Sequence, residues 1–150
     1  MSIFSTLNIK DSIRIKTFDL HDHTFKVRVP LSGELDAINN RIMEVPQADI
    51  DARFGELRDK LLVDGQTEGV EKTGDDVIID GLSVRQIAQT GLRMERKVVE
   101  YFKLLVPENG SLAEISYNEI NAEFPMQIQF EFLDKISEVI QPNYTSAKKN

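Results

Sequence analysis

"MQIQFEFLDKISEVIQ", residues 126–141, decides the fold, because its two halves follow different periods. Met126, Ile128, Phe130 and Phe132 alternate as in a strand, whereas Leu133, Ile136, Val139 and Ile140 step at helical spacing. Wound as one helix at about 100° per residue, the apolar side chains cover an arc of roughly 200°, and Pro125 suits a first helical position. We assign helix to the whole stretch. A helix resting on a single core needs a narrower stripe than this, so the surplus is expected to meet another polypeptide. Aromatic and methionine side chains dominate interface cores. Phe124, Met126, Ile128, Phe130 and Phe132 are therefore the candidate partner-binding residues. The competing reading is a helix central to its own domain and enclosed on several sides.

Upstream, "SYNE" at 116–119 matches a capping box, Ser116 with Glu119, opening a short helix that stops before Pro125. Ser83 is placed to cap the clearest helix in the chain, with Val84, Ile87, Ala88, Gly91, Met94, Val98, Phe102 and Leu105 on one face. Leu35, Ile38, Ile42 and Val45 make a shorter helix with Ser32 as N-cap. Beyond Pro46, Ile50, Phe54, Leu57 and Leu61 form a second stripe, so a broken helix and a helical hairpin both fit.

At the other end, "SIRIKTF" and "TFKVRVP" alternate apolar and polar residues, and the polar "DLHDH" between them reverses the chain. They read as an N-terminal β-hairpin, giving an α+β fold with a predominantly helical body. At three to five residues, the intervening segment fits no unique turn type. "VIID" at 77–80 suits a short strand, while residues 64–76, "DGQTEGVEKTGDD", hold one apolar residue and read as an exposed loop. Residues 1–143 are expected to form a single domain, with 144–150 as a polar C-terminal tail.

Bulk composition limits the function. A net charge of −7 disfavours a nucleic-acid backbone as the main partner, even though Arg85, Arg93, Arg96 and Lys97 make one helix locally basic. No apolar run approaches the length that spans a bilayer, so no membrane partner is expected and the chain is placed in the cytoplasm. With no cysteine in the sequence, thiol chemistry and cysteine-based zinc sites are excluded.

His21 and His23, the two histidines, are spaced so that on a strand both would face one side, which raises a metal site. They supply two ligands where a structural zinc site takes four, so no metal is assigned. Paired acids such as Asp75-Asp76 lie in the most polar stretch, away from any environment that would shift a carboxyl. Walker, Rossmann, HExxH and GxSxG patterns are all missing from the sequence. No catalytic residue and no cofactor is nominated, and the chain is expected not to be an enzyme.

The order of features resembles the tail assembly chaperones of long-tailed bacteriophages. The hairpin "TFDLHDHTFKVRVPLSGELDAI" runs into a helix, further helices follow, and "SYNEINAEFPMQIQFEFLDKI" closes the body, so that the likeness covers roughly residues 13–140. It is a likeness of layout, carried by no catalytic motif. It implies a small cytoplasmic protein that coats the tape-measure protein, recruits tail-tube protein during polymerisation, associates with itself and leaves before the virion is complete. The alternatives are a tail-completion or adaptor protein retained in the virion and, further off, a His-dependent metal hydrolase.

Overall fold

The structure, a computed structural model, describes residues 11–61 and 69–141. The chain is α+β: a two-stranded antiparallel hairpin leads into helices, with a small three-stranded sheet between them. Contacts group the chain into two compact units. The first is drawn from the stretch up to Ile38 and that from Val98 onward, the second from Asn39–Lys97.

In the first unit, β1 (Ile15–Leu20) pairs with β2 (His23–Arg28) in a register that sets Phe18 opposite Phe25. The alternation of "SIRIK" is not a strand from its start, because Asp11–Arg14 is a 3-10 turn. His21 and Asp22 alone make the reversal, with φ of 49° and 65°. Two positive φ values in a two-residue loop define a type I′ turn, whose twist matches that of the strands. Aspartate tolerates this region because its short polar side chain bonds locally.

The outer edge of β2 is occupied by backbone. The Arg28 amide donates to the Leu104 carbonyl at 2.8 Å, and the Val106 amide donates to the Lys26 carbonyl at 2.8 Å. Leu105 thus sits in a bridge opposite Val27 and not on the helix to which its spacing assigned it. That helix, α3 (Val84–Phe102), ends one turn earlier. β pairing with Val27, itself fully buried, captures the chain as it leaves the helix.

α4 (Tyr117–Glu123) opens on the expected capping box: the Glu119 amide donates to Ser116 Oγ and the Ser116 amide to the Glu119 carboxylate. α5 (Met126–Ile140) is helical throughout, so the strand-like alternation of its first half is overridden. Pro125 lies immediately before the helix, and its carbonyl accepts the first intrahelical bond, from Gln129. Gln129 is buried, and its amide donates to the Phe124 carbonyl at 2.8 Å and to Asn121 Oδ1 at 3.1 Å. The buried Gln129 amide is thereby satisfied across the α4–α5 turn.

The boundary at Ile38 falls within the next helix, and the elements from Asn39 to Lys97 make up the second unit. α1 (Ser32–Met43) begins at Ser32 itself, with the Glu34 carboxylate accepting from the Leu31 amide. Residues 44–46 separate it from α2 (Gln47–Leu61), which resolves the broken-helix alternative into two helices. Within the expected loop 64–76, residues 64–68 lie outside the described residues, whereas Val70–Thr73 is a strand, β3. It pairs with β4 (Asp76–Ile79), and β4 with β5 (Leu82–Ser83). Asp80 and Gly81, at φ of 51° and 82°, make a second type I′ turn between β4 and β5. Phe54, Val77, Val84 and Ala88 form the core of this unit.

Candidate functional site

Five phenylalanine rings meet in the first unit. Phe18 and Phe25 stack across the hairpin with centroids 5.6 Å apart. Phe132 of α5 stands edge-on to Phe25 at 4.9 Å and tilts against Phe102 of α3 at 5.0 Å. Phe124 closes the group at 5.5 Å from Phe132. Such offset and T-shaped pairs favour the ring quadrupole and contribute beyond their buried area.

The rings do not fill the space they enclose. An apolar cleft of about 400 Å³ opens beside them. Its floor is Phe102, Phe124 and Phe132; one wall is the β2 stretch Thr24–Lys26, and the other is the chain between α3 and α4, chiefly Leu105, Leu112 and Ile115. This size falls in the range of ligand and anchor pockets. Lys26 and Glu108 stand in the lining, both exposed.

Of the candidate partner-binding residues, Phe124 and Phe132 come together in this cleft. Phe132 is only 2% exposed, so it is a core residue that forms floor and not a free contact side chain. Ile128 is half-buried, and Met126 and Phe130 are exposed at 55% and 39%. The reason is helical geometry. Gln129, Phe132, Leu133, Ile136 and Ile140 share the buried face of α5, Phe130 points off that face, and Met126 stands at its edge in the first turn. Sequence reasoning passed over Leu112 and Ile115, two large apolar residues three apart in the polar stretch that follows Pro107.

The histidines are placed otherwise than the metal reading requires. His21 is in the turn, outside both strands, and its Nε2 meets the Glu131 carboxylate of α5. His23 begins β2 and lies near the Phe25 ring. Among the described residues, no group of three or more His, Asp or Glu side chains is placed to hold a metal ion.

A second cavity, about 330 Å³, lies in the other unit against Asp76, Ser83 and Arg85. Asp76, Ser83 and Arg85 are already committed to structure. Asp76 accepts from the Arg85 amide at the start of α3 and from the Ser83 hydroxyl, while Ser83 Oγ accepts from the Gln86 amide. Burial pushes the Asp76 carboxyl up, but bonds from Ser83, Arg85 and Val77 outweigh this and hold it below the usual aspartate value. Arg85 bonds Asp51 and lies over the Phe54 ring at 4.4 Å. Asp51 is lowered by that bond and by one from Gln47, and Arg85 is raised chiefly by Asp51.

Compared with protein-family models, curated proteins and solved structures, the chain finds no match. Among the described residues, no helix is long and apolar enough to cross a membrane.

Proposed function

We propose that the chain is a non-enzymatic tail assembly chaperone of a long-tailed bacteriophage or prophage. It acts in the host cytoplasm, holds apolar segments of the tape-measure protein, helps recruit tail-tube protein, and is left out of the mature virion. The observation that supports this reading is the open apolar cleft floored by Phe124 and by Phe132 of α5, a helix that also leaves Phe130 and Met126 uncovered. Uncovered apolar surface of this kind marks interaction sites. The order of hairpin, helices, capping box and closing helix, which resembles that family, is the second support.

The physics of the role fits the charge. A long apolar-rich partner aggregates unless its surface is covered, and a carrier of net charge −7 keeps the assembly dispersed by self-repulsion. Self-association of carriers head to tail would follow the partner's length, since heterologous contacts that do not close a ring propagate.

Co-expression with the tape-measure protein encoded nearest the gene tests it. The wild-type chain is expected to keep that protein soluble, and the exposed-site variant Phe130→Ser together with Leu112→Gln and Ile115→Gln to lose this while retaining its circular dichroism. Mass spectrometry of purified virions is expected to find no copies. A tape-measure protein equally insoluble with and without the chain, or stoichiometric copies in the virion, would overturn the proposal.

A further inference from the structure

The connection from α3 to α4 carries the pair Asn109-Gly110, the one place in the sequence where glycine follows asparagine. Both residues are exposed and lie outside helix and strand. Gly110 sits at φ of 78°, in the left-handed region that residues with a side chain rarely adopt. The bend thus asks for glycine at this position, and with glycine comes a peptide nitrogen that no Cβ shields. Among the described residues, the Gly110 amide donates no hydrogen bond and the Asn109 side chain makes none.

The other described asparagines are equally exposed but differently held. Asn39 and Asn40 lie in α1, Asn118 and Asn121 in α4. Inside a helix, an amide is bonded to the carbonyl four residues back, and the helical backbone holds it away from the carboxamide carbon of the preceding side chain. Glu119, after Asn118, gives its amide to Ser116 Oγ, and Asn121 Oδ1 accepts from Gln129. Exposure is common to all of these asparagines; an unengaged amide on the next residue sets Asn109 apart.

We propose that Asn109 is a site of spontaneous deamidation, an intramolecular modification whose co-reactant is water. The Gly110 nitrogen loses its proton to hydroxide and attacks Cγ of Asn109. The new N–Cγ bond closes a five-membered succinimide while the Cγ–Nδ2 bond breaks, and the amino group leaves as ammonia by taking a proton from water, which returns the hydroxide. A second water then opens the ring. Opening at the Cγ–N bond gives aspartate, and opening at the backbone C–N bond gives isoaspartate, whose chain runs on through Cβ and Cγ. In net, one water is consumed, one ammonia is released and a carboxamide becomes a carboxylate, with no change of oxidation state.

The new charge falls next to Glu108, which with Pro107 lines the apolar cleft. Each event adds one negative charge to a chain of net −7. The isoaspartyl product also lengthens the backbone of that wall by one carbon. The lip of the cleft therefore changes with the age of the molecule, whatever the cleft holds.

The full chain is incubated in mildly alkaline buffer at physiological temperature and followed by peptide mass spectrometry, with isoaspartyl methyltransferase labelling for the rearranged product. Conversion at Asn109 is expected to run at least about tenfold faster than at Asn39, Asn40, Asn118 or Asn121, because a free nucleophile in reach of its carbon decides the rate of an intramolecular step. It is expected to quicken as pH rises and to yield a more acidic species on ion exchange. In Asn109→Gln, whose longer side chain would have to close a six-membered ring, that species should be missing while circular dichroism is unchanged. In guanidinium chloride, Asn109 should convert about as fast as in buffer. Conversion in buffer at least about tenfold slower than in guanidinium would mean that the connection has to open first, and would overturn the proposal. Equal rates at Asn109 and the helical asparagines of the folded chain overturn it too, as does an acidic species that forms undiminished in Asn109→Gln.

Discussion

Phe130 and Phe132 stand two residues apart on one helix, and truncating each to alanine should have unequal consequences. Phe132 is 2% exposed and touches four other rings, with centroids between 4.9 and 6.1 Å. Removing a fully buried phenylalanine costs its transfer free energy plus a cavity term, together about 3–5 kcal/mol. Because a chain of ordinary stability has about 5–15 kcal/mol in hand, Phe132→Ala should leave a marginal fold. Phe130 is 39% exposed, so only part of its side chain leaves water on folding. Full burial of a phenylalanine contributes about 1.5–3 kcal/mol, and Phe130→Ala keeps a fraction of that loss with no enclosed cavity, hence about 1 kcal/mol. Alanine's better helix propensity offsets some of it.

Urea denaturation followed by circular dichroism measures both variants. At about 2–4 °C per kcal/mol for a chain of this size, Phe132→Ala should also melt roughly 10 °C or more below wild type, and Phe130→Ala only a few degrees below. Phe132→Leu, which refills most of the cavity, should recover over half of the loss. Equal costs for the two alanine variants, or a larger cost at Phe130, would refute the assigned face of α5 and with it the floor of the cleft.

Three further outcomes follow from local geometry. Asp76→Ala removes the carboxylate that accepts from the Arg85 amide at the start of α3 and should destabilise by about 1–2 kcal/mol in urea. Since the folded Asp76 carboxyl is held below its ordinary value of 3.8, its contribution is present above that pH and is lost as pH falls through the lower folded value. The wild type should therefore lose stability more steeply than Asp76→Asn on acidification below about pH 4; parallel acid titrations would remove Asp76 from the account. Asp22→Gly relieves a non-glycine residue at φ of 65° and should raise stability by about 0.5–1 kcal/mol in a thermal melt, whereas a fall would contradict the type I′ turn. Zinc should leave the melting temperature unmoved; a rise that vanishes in the variant with both His21→Ala and His23→Ala would restore the metal reading.

Legibility followed the range of the interactions. The capping box at Ser116 and Glu119, the cap at Ser83 and the helix of 126–140 were readable because each depends on neighbours within a turn or two. Pairing between distant segments was not. Nothing near Leu105 tells that its backbone will bridge Val27, 78 positions earlier, so the helical pattern ran past the true end of α3. β3 was hidden for a related reason: "VEKT" has one apolar residue, and the strand exists through its ladder to β4 and a glycine at φ of 57° in the turn. Asp80-Gly81, by contrast, is a dipeptide that favours a two-residue hairpin, and Gly81 directly after "VIID" already allowed the sharp turn that the structure has there.

The candidate site shows where apolar content stops being informative and angle begins. Phe124, Met126, Ile128, Phe130 and Phe132 look equivalent in the sequence, yet Phe124 precedes α5 and the helix separates the other four by direction. Positions 129, 132, 133, 136 and 140 recur within one face, and their burial follows from that recurrence; 126 and 130 fall outside it. A strict reading of α5 at about 100° per residue therefore sets Phe132 within the buried face and Phe130 about 60° beyond its edge, while Met126 falls only about 20° past Leu133 and Phe124 lies before the helix. It cannot give the cleft, which needs Phe25 from β2, Phe102 from α3 and the 105–115 connection to arrive at Phe132 together. The distinction matters for any test of binding. A substitution at Phe132 removes core and cleft floor at once, so lost binding would carry no information about contact. Leu112 and Ile115, half-buried and outside the helices, are the positions at which binding and folding can be separated.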